Sequence, residues 1–266
     1  MINGDFRSEL IQELRQVSSA RITAVFHQGP EFLESPSFRL APGTLDGIVC
    51  VARCQLASVQ ALAPPGRTHF IPHGVDTAYF DPGPPSSSRP VVLCVGSHAR
   101  DFDTLRSSAE IVQRAVPGAS VRLIAPPTLL PTGLDLGPVE RLSGLDDDAL
   151  RSAYRDATVV LLPLMRATAN NSLLEAMACG KPVVVTDVGG VRDYARPEIG
   201  ALCPRGDASA HASAVLDLLG DPERRERAGR AARATAEQLA WPKVRAQVRQ
   251  ALLAPPAGPT QEHGAR

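Results

Sequence analysis

The chain has 266 residues, with 28 basic and 28 acidic side chains that cancel to a formal net charge of zero. This length allows one large or two small domains with a sizeable core, and nothing in the balanced charge suggests a nucleic-acid footprint, which would need a basic stripe. No apolar run reaches membrane-spanning length, MINGDFRSEL lacks the apolar core of a signal peptide, and an odd set of cysteines, four of them (Cys50, Cys94, Cys179, Cys203) in apolar settings and Cys54 without a usual zinc spacing, reads as reduced thiols of a cytoplasmic protein.

Phe6, Leu10, Leu14 and Val17 recur at helical spacing and predict a helix from Asp5 to about Ser18. Ile22 to Phe26 reads as a strand ending at His27. Gly29 to Pro42 is proline-rich and reads as irregular. A strand over Gly47–Ala52, a helix over Arg53–Ala63 and a strand over Thr68–Ile71 follow, and the last ends in Pro72-His73-Gly74-Val75-Asp76. There Gly74 permits a positive φ and Asp76 can bond its own backbone, so His73 belongs to a turn and is not assigned to catalysis. Gly83–Pro90 is the clearest linker in the chain.

Strand and helix then alternate, which argues a parallel, doubly wound sheet. Strands are expected at Val91–Val95, Ser120–Ile124, Thr158–Leu162, Val183–Val185 and Ala201–Cys203. Helices are expected at Asp101–Val116, Asp146–Arg155, Asp207–Leu219, from Pro222 onward and at Trp241–Leu253, followed by a disordered tail at 254–266. The resulting division is 1–82, the linker 83–90, 91–240, the helix 241–253 and the tail. The Asp146-Asp147-Asp148 cluster falls where a helix begins. Carboxylates favour that end, so it reads as a cap with no metal.

The chain is organised around Thr158–Gly190. After the Thr158 strand comes a polar loop, Arg166–Asn171, and then a helix that Ser172 can cap, with Glu175 in its first turn. In an open parallel sheet, ligands bind outside the carboxyl ends of the strands. The helix start aims N–H groups and a positive dipole end at that crevice, which suits a diphosphate. Glu175 offers two acceptor oxygens to the vicinal hydroxyls of a ribose. Equally, it completes a capping box with Ser172, and the spacing alone does not separate the two readings.

LLEAMACGKPVVVTDVGG resembles the signature of family 4 (group 1) retaining glycosyltransferases of the GT-B fold. FIPHGVDTAYFDP, VLCVGSHARDFDTL and LSGLDDDALRSAYRDATVVLLPL resemble further blocks of the same family, in the same order. The resemblance implies an α/β, GT-B-like protein with a complete C-terminal Rossmann-like donor domain and a partial N-terminal Rossmann-like domain. In it the Trp241 helix packs back on the first domain. The chain lacks the strands and glycine-rich loop with which the family begins, and is expected to be a fragment or a reduced relative.

The implied reaction moves a sugar from a nucleoside diphosphate sugar to a hydroxyl acceptor with retention of configuration, and uses no metal or other cofactor. The acceptor class stays open among glycans, lipids and small molecules, so peripheral membrane contact stays open too. Of the family's two glutamates in this stretch, Glu175 matches the one that holds the ribose, and Ala167 stands where the other would be. Asn170 and Asn171, beside that gap, are candidates to hydrogen-bond the sugar.

His27, in FHQGP, resembles a histidine of the cleft. Arg100 is the candidate cation for the leaving diphosphate, against the alternative of a solvated arginine paired with Asp101 or Asp103. Gly96, Ser172 and Leu173 complete the expected donor contacts. Gly189 and Gly190, with Asp193 in place of a glutamate, either let backbone approach the ligand or merely turn the chain. The rival reading is a binding module that holds a nucleotide sugar without efficient transfer. A dinucleotide oxidoreductase is disfavoured, because no Gly-x-Gly-x-x-Gly follows an early strand.

Overall fold

The computed structural model describes residues 1–5, 8–83 and 89–253. Phe6, the middle of the expected linker and the expected tail lie outside the described residues. The chain divides into two compact units, Met1–Ile71 together with the segment from Pro242, and Pro72–Trp241.

The first unit contains β1 (Ile2–Asn3), α1 (Ser8–Val17), β2 (Thr23–Phe26), α2 (Pro30–Leu33), β3 (Gly47–Cys50), α3 (Leu56–Val59) and β4 (Thr68–Phe70). Its four strands are parallel, in the order β1-β2-β3-β4. Thus one strand does precede the one that ends at His27. Two residues carry no apolar period, and β1 exists through backbone pairing to Ala24 and Val25. Ile11 of α1 packs with Phe26, Leu45, Ile48 and Leu62, all buried. The Gly29–Pro42 stretch is not wholly irregular, since α2 starts at Pro30, where the fixed φ of proline suits a first helical turn.

The expected Arg53–Ala63 helix is broken into a 3-10 turn at Arg53–Gln55, α3, and a second 3-10 turn at Gln60–Leu62. Gln55 explains the first break. Fully buried, it accepts from the Ala52 N–H (2.8 Å) and donates to the carbonyls of Phe26 (3.0 Å) and Gln28 (2.8 Å), pinning the segment's start to the end of β2.

The second unit runs β5 (Val91–Val95), α4 (Phe102–Ala115), β6 (Ser120–Ile124), β7 (Glu140–Leu142), α5 (Asp147–Asp156), β8 (Val159–Leu162), α6 (Asn171–Ala178), β9 (Val183–Thr186), β10 (Gly200–Cys203), α7 (Ala208–Gly220) and α8 (Pro222–Gln238). α9 (Trp241–Leu253) begins at the unit's last residue. From Val244 onward α9 lies in the first unit, where Val244, Val248 and Ala251 pack with Val25, Val49 and Ile71. β7 escapes the sequence because it is an edge strand with a single apolar residue, held by its ladder to β6.

Every residue of β5, β8 and β9 is buried, which matches their unbroken apolar runs and a sheet covered on both faces. The six strands are all parallel, in the order β10-β9-β8-β5-β6-β7. This is the doubly wound Rossmann order, and it reverses between β5 and β8. At the opposite, N-terminal end of the sheet, Lys181 lies just before β9 and donates from Nζ to the Arg155 carbonyl at 2.5 Å.

Gly74 does not take a positive φ and instead lies against Trp241, where an added Cβ would come within 2.5 Å of the ring, whereas the Asp76 part of the turn forms as its composition suggests. The Asp76 carboxylate accepts from the Ala78 and Tyr79 N–H groups at 3.0 Å each. His73 is held in the second unit by its own N–H, which donates to the Tyr194 hydroxyl (2.9 Å), and by an edge-on contact with Trp241.

Candidate functional site

The crevice at a strand-order reversal is where an open α/β sheet binds ligands. Here it lies beyond the C-terminal ends of β5 and β8. The β5 end leads into Gly96, whose φ is +88° and where an added Cβ would come within 2.9 Å of Arg100 Nη2. Three residues on, Ala99 adopts the left-handed region (φ 53°), which costs a non-glycine residue roughly 1–2 kcal/mol. It is held there by the Met165 N–H, which donates to its carbonyl (2.9 Å).

This turn folds the Arg100 side chain back under the loop. Arg100 Nε and Nη2 donate to the Val95 carbonyl (3.0 and 2.5 Å), Nη1 donates to the His98 carbonyl (3.1 Å) and Nη2 to Ser172 Oγ (3.0 Å). Arg100 is 8% exposed. The alternative of a solvated arginine paired with Asp101 or Asp103 is therefore overturned. Asp101 instead caps α4 through the Thr104 N–H (3.0 Å). Among the described residues, Arg100 forms no ion pair with a carboxylate. Its charge is set among carbonyl dipoles and one hydroxyl, beside the start of α6.

The start of α6 differs from the sequence expectation. Asn170, not Ser172, is the N-cap: its side chain accepts from the Leu173 N–H (3.1 Å). The capping box between Ser172 and Glu175 is thereby excluded, because the helix begins too early for it. Ser172 turns inward, accepting from Arg100 and donating to the Val95 carbonyl (3.1 Å). Leu173 is fully buried and its N–H is spent on the cap. The N–H groups of Asn171 and Ser172 open the helix, where intrahelical acceptors are lacking and the dipole is positive.

Glu175 sits one turn inside α6. Tyr154, fully buried on α5, donates its hydroxyl to Glu175 Oε2 at 2.8 Å. Burial pushes the Glu175 carboxyl up to about 7, opposed by the Tyr154 hydrogen bond and reinforced by Asp147. Tyr154 is a site residue that sequence reasoning missed. No spacing rule links it to Glu175, and its one signal is a polar-tipped aromatic in a short helix that feeds β8.

The loop after β8 is fastened from two sides. At Gly189 (φ +52°) an added Cβ would meet the Ala167 carbonyl oxygen at 2.1 Å, and the Gly190 N–H donates to the same oxygen (2.9 Å). The glycine pair thus serves close approach of the protein's own backbone around Ala167. On the other side, the Leu164 N–H donates to Thr186 Oγ1 (2.8 Å), which in turn faces His211 Nε2 (3.0 Å). His211 Nδ1 lies 2.7 Å from the Asp207 carbonyl, which can only accept. So Nδ1 carries the proton and Nε2 accepts from the Thr186 hydroxyl. Thr186 and His211 were also invisible to sequence reasoning.

Asp146 caps α5 through the Ala149 N–H (2.8 Å), and no group of three or more potential metal-ligating side chains occurs among the described residues.

His27 belongs to the first unit. Its N–H and that of Gln28 donate to the carboxylate of buried Asp5 (2.8 and 3.0 Å), and its Nδ1 stands 3.4 Å from Asp5 Oδ2. The residues that follow β1 and β2 are thus tied together at the C-terminal ends of those strands.

The doubly wound sheet thus brings a buried arginine, a helix start and a carboxylate to the crevice at its strand-order reversal. Residues 89–221, half of the chain, match the family described as glycosyl transferases group 1, and the chain belongs to that family. It is 30% identical over 202 residues to the D-inositol 3-phosphate glycosyltransferase of Nocardia farcinica; the match covers 66% of this chain and 45% of that one, so the chain spans under half the length of such curated relatives. Among solved structures, the sucrose-phosphate synthase of Thermosynechococcus elongatus superposes with a TM-score of 0.74 at 22% identity, covering 93% of this chain and 71% of the other. The Anabaena protein HepE, solved in complex with UDP and glucose, gives 0.68 at 15% identity, with 92% and 81% covered. The fold class is accordingly α/β and GT-B-like, with Rossmann-like parallel sheets.

Proposed function

We propose that the second unit binds a nucleoside diphosphate sugar and that the protein transfers the sugar to a hydroxyl acceptor with retention of configuration and without a metal. The observation that carries this reading is Arg100, buried beside the start of α6 at the strand-order reversal. A departing diphosphate develops about two negative charges, and preorganised cations and helix N–H groups stabilise that charge without reorganising. Arg100 and the N–H groups of Asn171 and Ser172 are the groups placed to do so. Glu175, one turn further along, takes the ribose hydroxyls, and Asn170 and Asn171 border the sugar. On the acceptor side, His27 is the candidate contact to the reacting hydroxyl, with its backbone fixed by Asp5. Such a protein works in the cytoplasm, where nucleotide sugars are made.

Binding without efficient transfer is the second reading. Ala167, where the family's sugar-holding glutamate would stand, favours it, since alignment of the transferred group is sensitive to about 1 Å. Calorimetry with UDP-glucose and GDP-mannose, followed by nucleotide release with and without candidate acceptors, tests both. Acceptor-dependent release supports transfer, and binding without release supports the second reading. No binding of either donor, or of UDP or GDP, overturns the donor site itself.

A further inference from the structure

Two hydrogen bonds between buried groups run beneath the candidate site. Arg100 Nη2 donates to Ser172 Oγ (3.0 Å), and Tyr154 donates its hydroxyl to Glu175 Oε2 (2.8 Å). These groups come from three separate segments: the loop after β5, α5 and α6. Ser172 and Tyr154 are buried, at 9% and 0% exposure, so neither hydroxyl is a surface group that found a partner by chance.

We propose that Tyr154 is a positioning residue of the donor site: its hydroxyl fixes one oxygen of Glu175 and holds that side chain ionised for the ribose hydroxyls. This inference rests on the donor-site reading above and adds a residue and a property to it.

The chemistry follows from donor and acceptor counts. A carboxylate accepts only, so one oxygen can take the Tyr154 O–H while the other meets a diol, whose hydroxyls both donate. A protonated carboxyl would direct its own O–H against those donors. The groups that bear on this balance are Tyr154 and Asp147 of α5, Cys179 just beyond the end of α6, and Arg100 acting on Tyr154 from the β5 loop. Burial and Asp147 disfavour the carboxylate, and the Tyr154 hydrogen bond is the contact that favours it. Without that bond the carboxyl stays protonated to higher pH. Donor affinity should therefore rise with pH through the neutral range in the native protein, and through a higher range in Tyr154→Phe.

Two measurements test this on the full chain. The first is a carbon-13 titration of the Glu175 side-chain carboxyl in the ligand-free protein and in Tyr154→Phe, which needs no ligand. The expected midpoint is about 7 in the native protein and roughly one pH unit higher in the variant. The second is UDP-glucose affinity between about pH 5.5 and 8.5, chosen because this donor's diphosphate does not titrate there. Tyr154→Phe should bind about fivefold more weakly at pH 7 and approach native affinity at the alkaline end.

An unmoved Glu175 midpoint in Tyr154→Phe overturns the proposal. So does an affinity loss that is the same at every pH, which is what a purely structural tyrosine would give. If the midpoint moves but native protein binds no donor, the positioning of Glu175 by Tyr154 stands and the donor-site reading fails. Should Tyr154→Phe not fold, Glu175→Gln asks the same question. It keeps an acceptor for the tyrosine but cannot ionise, so its affinity should lose the rise through neutral pH, and retention of that rise overturns the proposal.

Discussion

Glu175 shows how a residue can be legible in type and position but not in environment. The sequence leaves it divided between a ribose contact and a capping box. The structure removes the capping box by moving the N-cap to Asn170, an outcome that depends on Asn170's extended backbone and on Ser172 finding Arg100 and Val95. Neither partner is within helical reach of Ser172, so spacing could not have shown it. Glu175→Gln should weaken UDP or GDP binding by about 1–3 kcal/mol, through loss of a charged acceptor to two hydroxyls. Calorimetry at one pH above 7 checks this, and equal affinity would remove Glu175 from the site.

The same residue gives a stability prediction. Its folded pKa is raised from 4.5 to about 7, so the stabilisation it lends is complete below 4.5 and lost as pH rises through about 7. The melting temperature of ligand-free Glu175→Gln should therefore fall less than the native value between those limits.

At the scale of elements, the long apolar strands were readable. β5 begins and ends where its run does, because a strand buried on both faces writes its bounds directly into composition. β1 and β7 were not, since they rest on ladders, nor was the 3-10 turn before α3, which ends at the buried Gln55. The N-cap of α6 is a test of element and site together. Asn170→Ala should cost about 0.5–2 kcal/mol of stability, and Asn170→Asp should keep most of it while adding a charge that repels a diphosphate. Loss of nucleotide affinity in the aspartate variant with near-native melting would tie the helix start to anion binding, and unchanged affinity would break that tie.

The contact between β9 and α7 behaves in the opposite pH sense to Glu175. Burial holds the His211 pKa below its usual 6.5, so its stabilisation is complete above 6.5 and lost as pH falls through the lowered value. Replacing it by glutamine should flatten that acid limb of the melting curve. Thr186→Val leaves the Leu164 N–H and His211 without their shared hydroxyl, and should destabilise by about 1–3 kcal/mol at neutral pH. Wild-type melting in Thr186→Val would show that the loop after β8 is held by packing alone.

For the whole molecule, the alternation of strands and helices gave the doubly wound class, and a run of motifs in the family's order gave the family. What composition could not give was the strand order, since a reversal between β5 and β8 is a property of crossovers and leaves no mark on either strand. The two units have separate apolar clusters, so unfolding need not be two-state. Saturating UDP at about a hundred times its dissociation constant should stabilise the second unit by about 2.7 kcal/mol, if that unit holds the proposed donor site. In calorimetry this should appear as an upward shift of one transition with the other in place, whereas a uniform shift of a single transition would show that the units unfold together. EDTA should leave binding and any turnover unchanged, and a loss restored by manganese or magnesium would overturn the metal-free proposal.

Of the 28 basic side chains all but two are arginines, and this has a practical consequence through Lys181. It and Lys243 are the only lysines in the chain. Lys181 is engaged with the Arg155 carbonyl at the N-terminal end of its sheet, opposite the candidate site, and Lys243 lies on α9 in the first unit. No cation of the candidate donor site carries an amine. Acylating reagents, and amine coupling to a sensor surface, should therefore label this protein sparsely and spare nucleotide binding, whereas dicarbonyl reagents that consume guanidinium groups should be slowed at Arg100 by burial and slowed further by bound nucleotide.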